Sequence, residues 1–535
     1  MDRPSEKPAD ECGIGESGLP ACRFADQPKR LAKNTVYNLL GRVLPMLAGL
    51  VAVPFLLKGL GVQRLGVLTL IWLVVGYFGV FDMGIGRATT KFVAALPPGG
   101  GGKRLAELIW GSLLLLVILG VVGGGVAAAL TPWLVGTALN IPEELKAEAR
   151  RAFFFLAASM PFVLGTSGAR GALEGQHRFG IVNAIRIPGT AFTFCGPLLV
   201  IPFSHDLSYI AAVLVCGRGI VFLLSTYFCI SSVPGARRPR MMRGETARRL
   251  LGFGGWLTVT NIVGALMAFG FVDRFVISSM LDISAVAYYA VPFDAVSKML
   301  VAPAGFVGVL FPVFSAYAVT QAVRISRLHR QALRVILLFV GPAALVLIAF
   351  GEPIMVVWLG KDFARESARV LQLVVPGALF CSISLLLASL VQAIGRPDLT
   401  AKRHLCELPI YIGVVWLFTK QWGIVGTAAG WLLWQVADQV ILFVLLRRLL
   451  PDSRRELGVS AKLMAAGGGG ALVCAAVLAT IPDMAVRGAG TLAALGLFLL
   501  LFWRLGLEAE DRARVRSLLR MPVGSPGQSS GGRDR

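Results

Sequence analysis

Long apolar segments recur along most of the chain, and short polar connections separate them. A helix that spans a bilayer needs roughly 20 mostly apolar residues, and about fourteen segments of the sequence meet this requirement. The pattern therefore predicts an all-α, polytopic membrane protein. The predicted spans are 34–57, 65–84, 108–130, 153–173, 181–203, 207–231, 250–272, 286–314, 335–357, 370–394, 405–418, 424–446, 463–481 and 484–503.

The overall composition agrees with a protein that is embedded in lipid. Apolar residues make up 56% of the 535 residues and charged residues only 15%, whereas soluble domains contain about 45–50% and about 25%. The mean hydropathy is +0.72. These values exclude a soluble enzyme with a single membrane anchor, because the apolar excess extends along the whole chain.

The basic residues indicate how the predicted helices are oriented. The formal net charge of +22 would suggest a nucleic-acid partner in a soluble protein, but here Lys and Arg lie at the ends of apolar segments. They concentrate in alternate connections, and the largest cluster holds six arginines between residues 237 and 249. Because basic connections remain in the cytoplasm, we expect both termini there and no nucleic-acid partner.

The six-arginine connection also divides the chain into two halves. Asn38-Leu-Leu-Gly41 in the first predicted span recurs as Asn261-Ile-Val-Gly264 in the seventh. Transporters are often built from repeated halves, so we expect two six-helix lobes and an additional helix pair. The expected boundaries are a disordered cytoplasmic tail (1–33), an N-terminal lobe (34–231), a basic cytoplasmic linker (232–249), a C-terminal lobe (250–450), the helix pair (451–506) and a cytoplasmic tail (507–535).

Motifs for catalysis or cofactor binding are absent from the sequence. Gly99–Gly102 before Lys103 lacks the glycine spacing and the Ser/Thr of a phosphate-binding loop. Gly84-Ile-Gly86 follows a predicted membrane helix rather than a strand, which argues against a dinucleotide site. The four histidines are isolated, and none of the eight cysteines forms a C-x-x-C pair. We therefore expect no catalytic residue, no metal site and no cofactor.

Four arginines lie inside or beside predicted spans of the N-terminal half: Arg42, Arg170, Arg186 and Arg218. A charge at the centre of a bilayer costs about 2.5–3.5 kcal/mol on insertion scales, so it normally faces a wet cavity or a partner. A cationic cavity that receives a phosphate group is one interpretation, because guanidinium groups match phosphate oxygens. The other interpretation is that these side chains extend to the interface or pair with a nearby acid.

Ionisable residues of the C-terminal half suggest a site for a coupling ion. Asp294 and Lys298 are four residues apart on one helix face, so they either pair with each other or line the cavity. In the cavity, Asp294 would serve a coupling ion or proton and Lys298 would contact phosphate. Asp438, in the twelfth span, is a second candidate for coupling. Asp273 and Arg274, at the end of the seventh span, are expected to pair at the membrane interface.

Short motifs spread over roughly residues 31–450 resemble those of bacterial polysaccharide-export flippases. This family is the polysaccharide transporter branch of the multidrug/oligosaccharidyl-lipid/polysaccharide superfamily, which also includes lipid II flippases. The motifs are Asn34-Thr-Val-Tyr-Asn-Leu-Leu-Gly41, Gly59-Leu-Gly61-Val-Gln-Arg-Leu-Gly66, Phe81-Asp-Met-Gly-Ile-Gly-Arg87, Gly175-Gln-His-Arg-Phe179 with Asn183, Asp273-Arg274, Ala287-Tyr-Tyr289 and Ala393-Ile-Gly-Arg396.

The resemblance implies two six-helix lobes that form a V around a central cavity and work by alternating access. It implies an undecaprenyl-diphosphate-linked oligosaccharide as cargo, carried from the inner to the outer leaflet of the bacterial inner membrane. Cationic cavity residues of the family hold the lipid diphosphate, a role that Arg42 and Arg218 could fill here. Other membrane proteins of polysaccharide assembly are candidate partners.

Three other functions are compatible with parts of the sequence. A drug or organic-cation antiporter of the same superfamily would need an acid-rich cavity, whereas the N-terminal half is rich in arginine. A membrane polymerase or glycosyltransferase would need a large outer domain, but the longest predicted outer connection is only 131–152. A scaffold of an envelope complex would tolerate neutralisation of the cavity charges.

Overall fold

The computed structural model describes most of the chain, and every secondary-structure element that it describes is a helix. No strand occurs among the residues that it describes. Residues 1–27 of the expected N-terminal tail, residues 234–249 of the basic linker, most of the seventh predicted span and the C-terminal tail lie outside them. Residues 28–33, which the sequence assigned to a disordered tail, are helical. The described residues are 28–78, 82, 84–94, 102–176, 178–233, 266–267, 270–318, 322–451 and 454–502.

Sixteen α-helices follow one another in these residues, and three short π-helical or 3₁₀ turns lie between them, at Leu134–Ala138, Lys298–Leu300 and Met464–Gly469. They are α1 (Pro28–Phe78), α2 (Ile85–Ala94), α3 (Gly102–Trp133), α4 (Glu143–Gly175), α5 (Phe179–Val200), α6 (Leu207–Ser231), α7 (Phe271–Met280), α8 (Ile283–Ser297), α9 (Val301–Ala318), α10 (Ala322–Ala349), α11 (Gly351–Leu359), α12 (Lys361–Ala393), α13 (Pro397–Leu449), α14 (Arg454–Leu463), α15 (Gly470–Ala479) and α16 (Met484–Leu501).

Helix α1 is a helical hairpin that turns back at Gly61. The backbone there has φ 75° and ψ 171°, a conformation that is essentially restricted to glycine. The Phe194 ring lies against Gly49 before the turn and 5.2 Å from the Trp72 ring after it. In a straight helix residues 49 and 72 would be about 35 Å apart, at 1.5 Å per residue. The structure thus separates the first two predicted spans at Gly61.

Helix α13 is a second hairpin, which turns at Trp422 and Gly423. Gly423 has φ 57°, so the two arms run antiparallel from this point. The Thr419 and Thr427 hydroxyls lie 2.7 Å apart across the turn. A side chain at position 426 would meet the Phe418 carbonyl oxygen at 1.9 Å, so glycine is required there too. These two arms correspond to the eleventh and twelfth predicted spans.

Eight helices among the described residues are long and apolar enough to cross a membrane, and two of the eight include the hairpin turns. The polytopic all-α class that the sequence predicts is therefore confirmed. The seventh predicted span falls mostly outside the described residues, so the number of fourteen stays a prediction.

Small residues bring α3 and α4 into close contact. A Cβ at Gly120 would lie 2.5 Å from the Pro161 Cα, and one at Gly124 would lie 2.6 Å from the Ala157 carbonyl oxygen. Close backbone approach of this kind is how helices pack in lipid, where the hydrophobic effect does not drive their association. The same dense packing occurs in the C-terminal half, where the Trp431 ring lies directly on Gly377 of α12.

The last two helices form a pair that packs against α10. The Phe498 ring of α16 lies on Gly341, and the guanidinium of Arg487 donates to the carbonyl oxygens of Ile481 and Ala349. This guanidinium is buried, so its bonds hold the end of α10 against the connection between α15 and α16. The predicted additional helix pair is present and is attached to the second half of the chain.

Contacts of Asn140 and Gly66 join the two halves of the chain on one side of the molecule. The Asn140 amide donates to the carbonyl oxygens of Ser279 and Leu281, at 3.1 and 3.3 Å. The Asn140 backbone N–H also donates to the Ser278 carbonyl oxygen, at 2.8 Å. Gly66 lies against the Ile283 backbone. Deeper in the structure, the indole N–H of Trp358 donates to the Leu50 carbonyl oxygen at 2.8 Å.

Candidate functional site

A cavity of about 510 Å³ lies where the two halves meet. The arms of α1 and part of α5 form one wall, and α7, α8, the start of α9 and α11 form the other. Its surface is mostly apolar, which is typical of ligand sites that use a few placed polar groups. The charged residues on its wall are Arg274, Asp294 and Lys298.

Asp294 pairs with Arg274 in this cavity and not with Lys298. The sequence left a pair between Asp294 and Lys298 open, because the two are one helical turn apart. Helix α8 ends at Ser297, and Lys298 begins a short 3₁₀ turn. The Arg274 guanidinium is nearly fully buried and pairs with Asp294. The Lys298 ammonium has no hydrogen bond or ion pair among the residues that the structure describes.

The expected interfacial pair of Asp273 and Arg274 is wrong, because both side chains are buried and bind different partners. Asp273 accepts hydrogen bonds from the hydroxyls of Tyr289, at 2.7 Å, and of Tyr411. Arg274 reaches the other way, towards Asp294 and the carbonyl oxygen of Thr69 on α1, at 3.5 Å. Adjacent residues of one short helix therefore connect α13 to the cavity wall.

A second pocket, of about 260 Å³, lies inside the N-terminal half between α4, α5 and α6. Arg170, Arg186 and Arg218 all line it, so the structure brings together three of the four arginines that the sequence singled out. Hydroxyls of threonine and serine residues add further donors to its wall. We call this space the arginine pocket.

The three guanidinium groups have different surroundings. Arg218 lies near the middle of α6, and its only described contact is with the Ser159 hydroxyl at 3.4 Å. Arg186 donates to the Asn183 side-chain oxygen at 2.7 Å. Arg170 lies 3.8 Å from Glu174, one turn further along α4, and is half exposed. Arg218 is thus the arginine of this pocket whose charge is least compensated by described neighbours.

Helix α5 forms part of both spaces. Thr193 lines the arginine pocket, and the next residue, Phe194, lines the central cavity. The sequence predicted a single cationic cavity, whereas these basic residues lie in two adjacent spaces that share a wall. Arg42 belongs to α1, one turn before the cavity residue Met46, and its side chain lies outside the described part of the chain.

Residues 31–318 match the family described as "Polysaccharide biosynthesis protein". The matched segment includes both walls of the central cavity except α11. The chain belongs to this family. The resemblance that the short motifs indicated is confirmed, and this member of the polysaccharide biosynthesis family is a multi-pass membrane protein with a transporter fold.

Relatives of known name agree with the family match. A Shigella flexneri protein named "Putative O-antigen transporter" is 26% identical over 424 residues, which cover 78% of this chain and 98% of that protein. Among solved structures, a lipid II flippase MurJ in an inward closed conformation matches with a TM-score of 0.62 at 16% identity, covering 88% of this chain and 99% of that one. An inward-facing multidrug resistance transporter of the MATE family, in the MOP superfamily, matches with a TM-score of 0.63 at 14% identity, covering 79% and 96%.

Asp438 of this family member lies away from both spaces. It is buried between the arms of α13, where its carboxylate pairs with the Arg403 guanidinium. The sequence proposed Asp438 but missed Arg403, because 35 positions separate them and only the turn at Gly423 brings them together. The Arg403 and Glu407 spacing of i, i+4 at the start of the eleventh predicted span is the signal that could have revealed a partner.

Proposed function

We propose that this protein moves an undecaprenyl-diphosphate-linked oligosaccharide from the inner to the outer leaflet of a bacterial inner membrane. It works by alternating access and uses an ion gradient. The family match and the similarity to a protein named as an O-antigen transporter support the cargo class. Similarity in fold to a lipid II flippase and to a MATE transporter supports the mode of action.

The charge of the central cavity carries the proposal. Asp294 is the only acid among the described residues that line it, and Arg274 neutralises this carboxylate. Lys298 then leaves the cavity with a net positive charge, and the arginine pocket adds three guanidinium groups on the other side of α5. In a low-dielectric interior, uncompensated cations favour an anionic cargo such as a lipid diphosphate.

The pairing of Asp294 and the short outer connection weigh against the alternatives. An organic-cation antiporter needs a carboxylate that is free to meet the cargo, whereas Asp294 is occupied by Arg274. A membrane polymerase needs an outer catalytic domain. The longest predicted outer connection, 131–152, is almost entirely helical, and only Leu139–Pro142 separates the π turn after α3 from α4. The geometry therefore favours transport over catalysis, and the partners are the lipid-linked sugar and the bilayer itself.

The retained ligand of the purified protein tests this function. We expect native mass spectrometry of protein extracted in lipid nanodiscs to show a bound polyprenyl-diphosphate sugar. Replacement of Lys298 by Glu should remove that species, because the cavity becomes negative, and Lys298→Arg should retain it. Lys361→Glu, at an exposed position at the start of α12, is the matched control. Retention of an organic cation, or no change in lipid binding with Lys298→Glu, would contradict the proposal.

A further inference from the structure

A group of buried ionisable side chains lies inside the α13 hairpin, away from both cavities. The Arg403 guanidinium contacts the Asp438 carboxylate across the two arms and lies 3.6 Å from the Glu407 carboxylate on its own arm. All three side chains are less than a tenth exposed. We call these three residues the carboxylate cluster. One guanidinium serves two carboxylates there.

Glu407 is poorly compensated in this position. Neither of its carboxylate oxygens accepts a hydrogen bond, although both are buried. Its nearest described cations are Arg403, and the His404 ring nitrogen at 3.5 Å, which is charged only when protonated. A buried carboxylate without donors is unfavourable. Binding of one proton removes this charge without any further ligand.

The charges around the cluster leave one carboxylate in excess. From the first arm of α13 the described groups that face Asp438 are Arg403, His404 and Glu407, and from α12 they are the Cys381 thiol and the Ser384 hydroxyl. From the turn after α14, the Met464 sulfur contacts Gln439 beside Asp438 and carries no charge. With neutral histidine and thiol, one guanidinium opposes two carboxylates, so the net charge is −1. One proton would make the cluster neutral.

We propose that the carboxylate cluster is a proton-binding site, in which Glu407 and Asp438 share one proton while Arg403 bridges them. The inference rests on the proposed function in one respect, because it identifies the proton as the coupling ion. A sodium ion fits less well, since the Arg403 guanidinium already contacts the Asp438 Oδ1 and would repel a second cation. No group of three or more metal-binding side chains exists among the described residues.

The cluster is connected to the central cavity by a chain of contacts. Tyr411 follows Glu407 by four residues, so the two lie one turn apart on the same face of α13. The Tyr411 hydroxyl donates to Asp273, and the adjacent Arg274 pairs with Asp294 on the cavity wall. Loss of the proton would strengthen the attraction between Asp438 on the second arm of α13 and Arg403 on the first arm. The two arms would then move closer together, and Tyr411 moves with the first arm. The site thereby has a physical route to the cargo cavity.

Charge displacement on a solid-supported membrane tests the proton site without any cargo. Proteoliposomes that contain the wild-type chain should give a transient current after a pH jump. The double variant Glu407→Gln with Asp438→Asn keeps the shape of both side chains and removes both titrating groups, so this current should be lost. Glu366→Gln, an exposed acid of α12, is the matched control and should behave like the wild type. If the double variant does not fold, each single variant should still reduce the current.

Transport of a polyprenyl-diphosphate oligosaccharide by the same vesicles separates the two proposals. An imposed pH gradient should accelerate transport by the wild type and leave the double variant unaffected. A current that persists in the double variant, or that follows a sodium jump instead of a pH jump, overturns the proton site. If the current titrates as expected but no oligosaccharide moves under any gradient, the proton site stands and the proposed function fails.

Discussion

At the scale of single residues, the least compensated charge of the arginine pocket is Arg218. Its guanidinium is half-buried in the middle of α6 and meets only the Ser159 hydroxyl among its described contacts. A cation that is kept there without an acid is unfavourable unless a ligand meets it. Such surroundings are typical of a residue that binds a ligand rather than one that stabilises the fold.

Replacement of Arg218 by Ala should therefore impair export more than folding. We expect export of the lipid-linked oligosaccharide to fall by about tenfold or more, as for the loss of a charged ligand contact. The protein should remain at wild-type abundance in the membrane, because no described ion pair is broken. Export can be measured as surface polysaccharide in a strain that lacks its own flippase. Unchanged export with Arg218→Ala would remove this residue from the mechanism, and Arg42→Ala provides the parallel test for α1.

Asp294 behaves differently, because it has a dedicated partner. Its replacement by Asn leaves the buried Arg274 guanidinium without its ion-pair partner. Breaking a fully buried pair on one side costs about 3–5 kcal/mol, and we expect a smaller loss here because the Asp294 side chain is 40% exposed. We expect Asp294→Asn to lower the thermal unfolding temperature of the purified protein, whereas Lys298→Gln, which breaks no described ion pair, should leave it nearly unchanged. Equal melting temperatures for the two variants would show that the Arg274–Asp294 pair has no structural role.

At the scale of single elements, the two hairpins depend on glycine. Gly61 and Gly423 both have positive φ values with ψ far from the left-handed helical region, and another residue in such a conformation costs about 1–3 kcal/mol. We expect Gly423→Ala to destabilise the α13 hairpin by about that amount and to weaken the Arg403–Asp438 contact between its arms. Gly413→Ala, in open space on the same helix, is the control. Thermal unfolding in nanodiscs measures the difference, and equal stability of the two variants would contradict it.

The sequence predicts helices well because each is long, apolar and separated by polar residues. It separates α1 and α13 into their two arms because the polar residues around Arg64 and Lys420 interrupt the apolar pattern. Contacts between distant residues are a different matter. The pairing of Arg274 with Asp294, 20 positions apart, depends on how α7 and α8 pack, and no local spacing encodes it.

Side-chain direction is also beyond the reach of sequence at this level. The structure places Arg170, Arg186 and Arg218 around one pocket, where Arg170 is half exposed. However, hydropathy cannot say on which side of α5 they lie, and therefore whether they meet the central cavity or the arginine pocket. The rotation of each helix about its axis decides this, and the packing of neighbouring helices sets that rotation.

At the scale of the whole molecule, the contacts of Asn140 close one side of the cavity between the halves. The alternating access that we propose requires these contacts to open, because they join the connection before α4 to the turn between α7 and α8. A covalent link at this place should hold the molecule in the closed arrangement. The exposed positions Asn140 and Ser279 suit such a link, since their backbones are in hydrogen-bonding range through Ser278.

We therefore expect the double variant Asn140→Cys with Ser279→Cys to lose export after oxidation and to recover it after reduction. Each single cysteine variant is a control for reaction with the native exposed cysteines, such as Cys195 and Cys474. Mobility on non-reducing gels after limited proteolysis reports the link, and surface polysaccharide reports export. Full export by the oxidised double variant would show that these two segments need not separate during transport.

The shared wall between the two spaces has a mechanical consequence. Thr193 and Phe194 are consecutive residues of α5, and they border opposite chambers. If α5 moves sideways between the central cavity and the arginine pocket, it widens one space only by narrowing the other. A ligand in the arginine pocket would thus push Phe194 towards Gly49 and Trp72. A ligand in the central cavity would push Thr193 into the arginine pocket. Occupants of the two chambers would then exclude each other by volume, even where their charges would favour binding together.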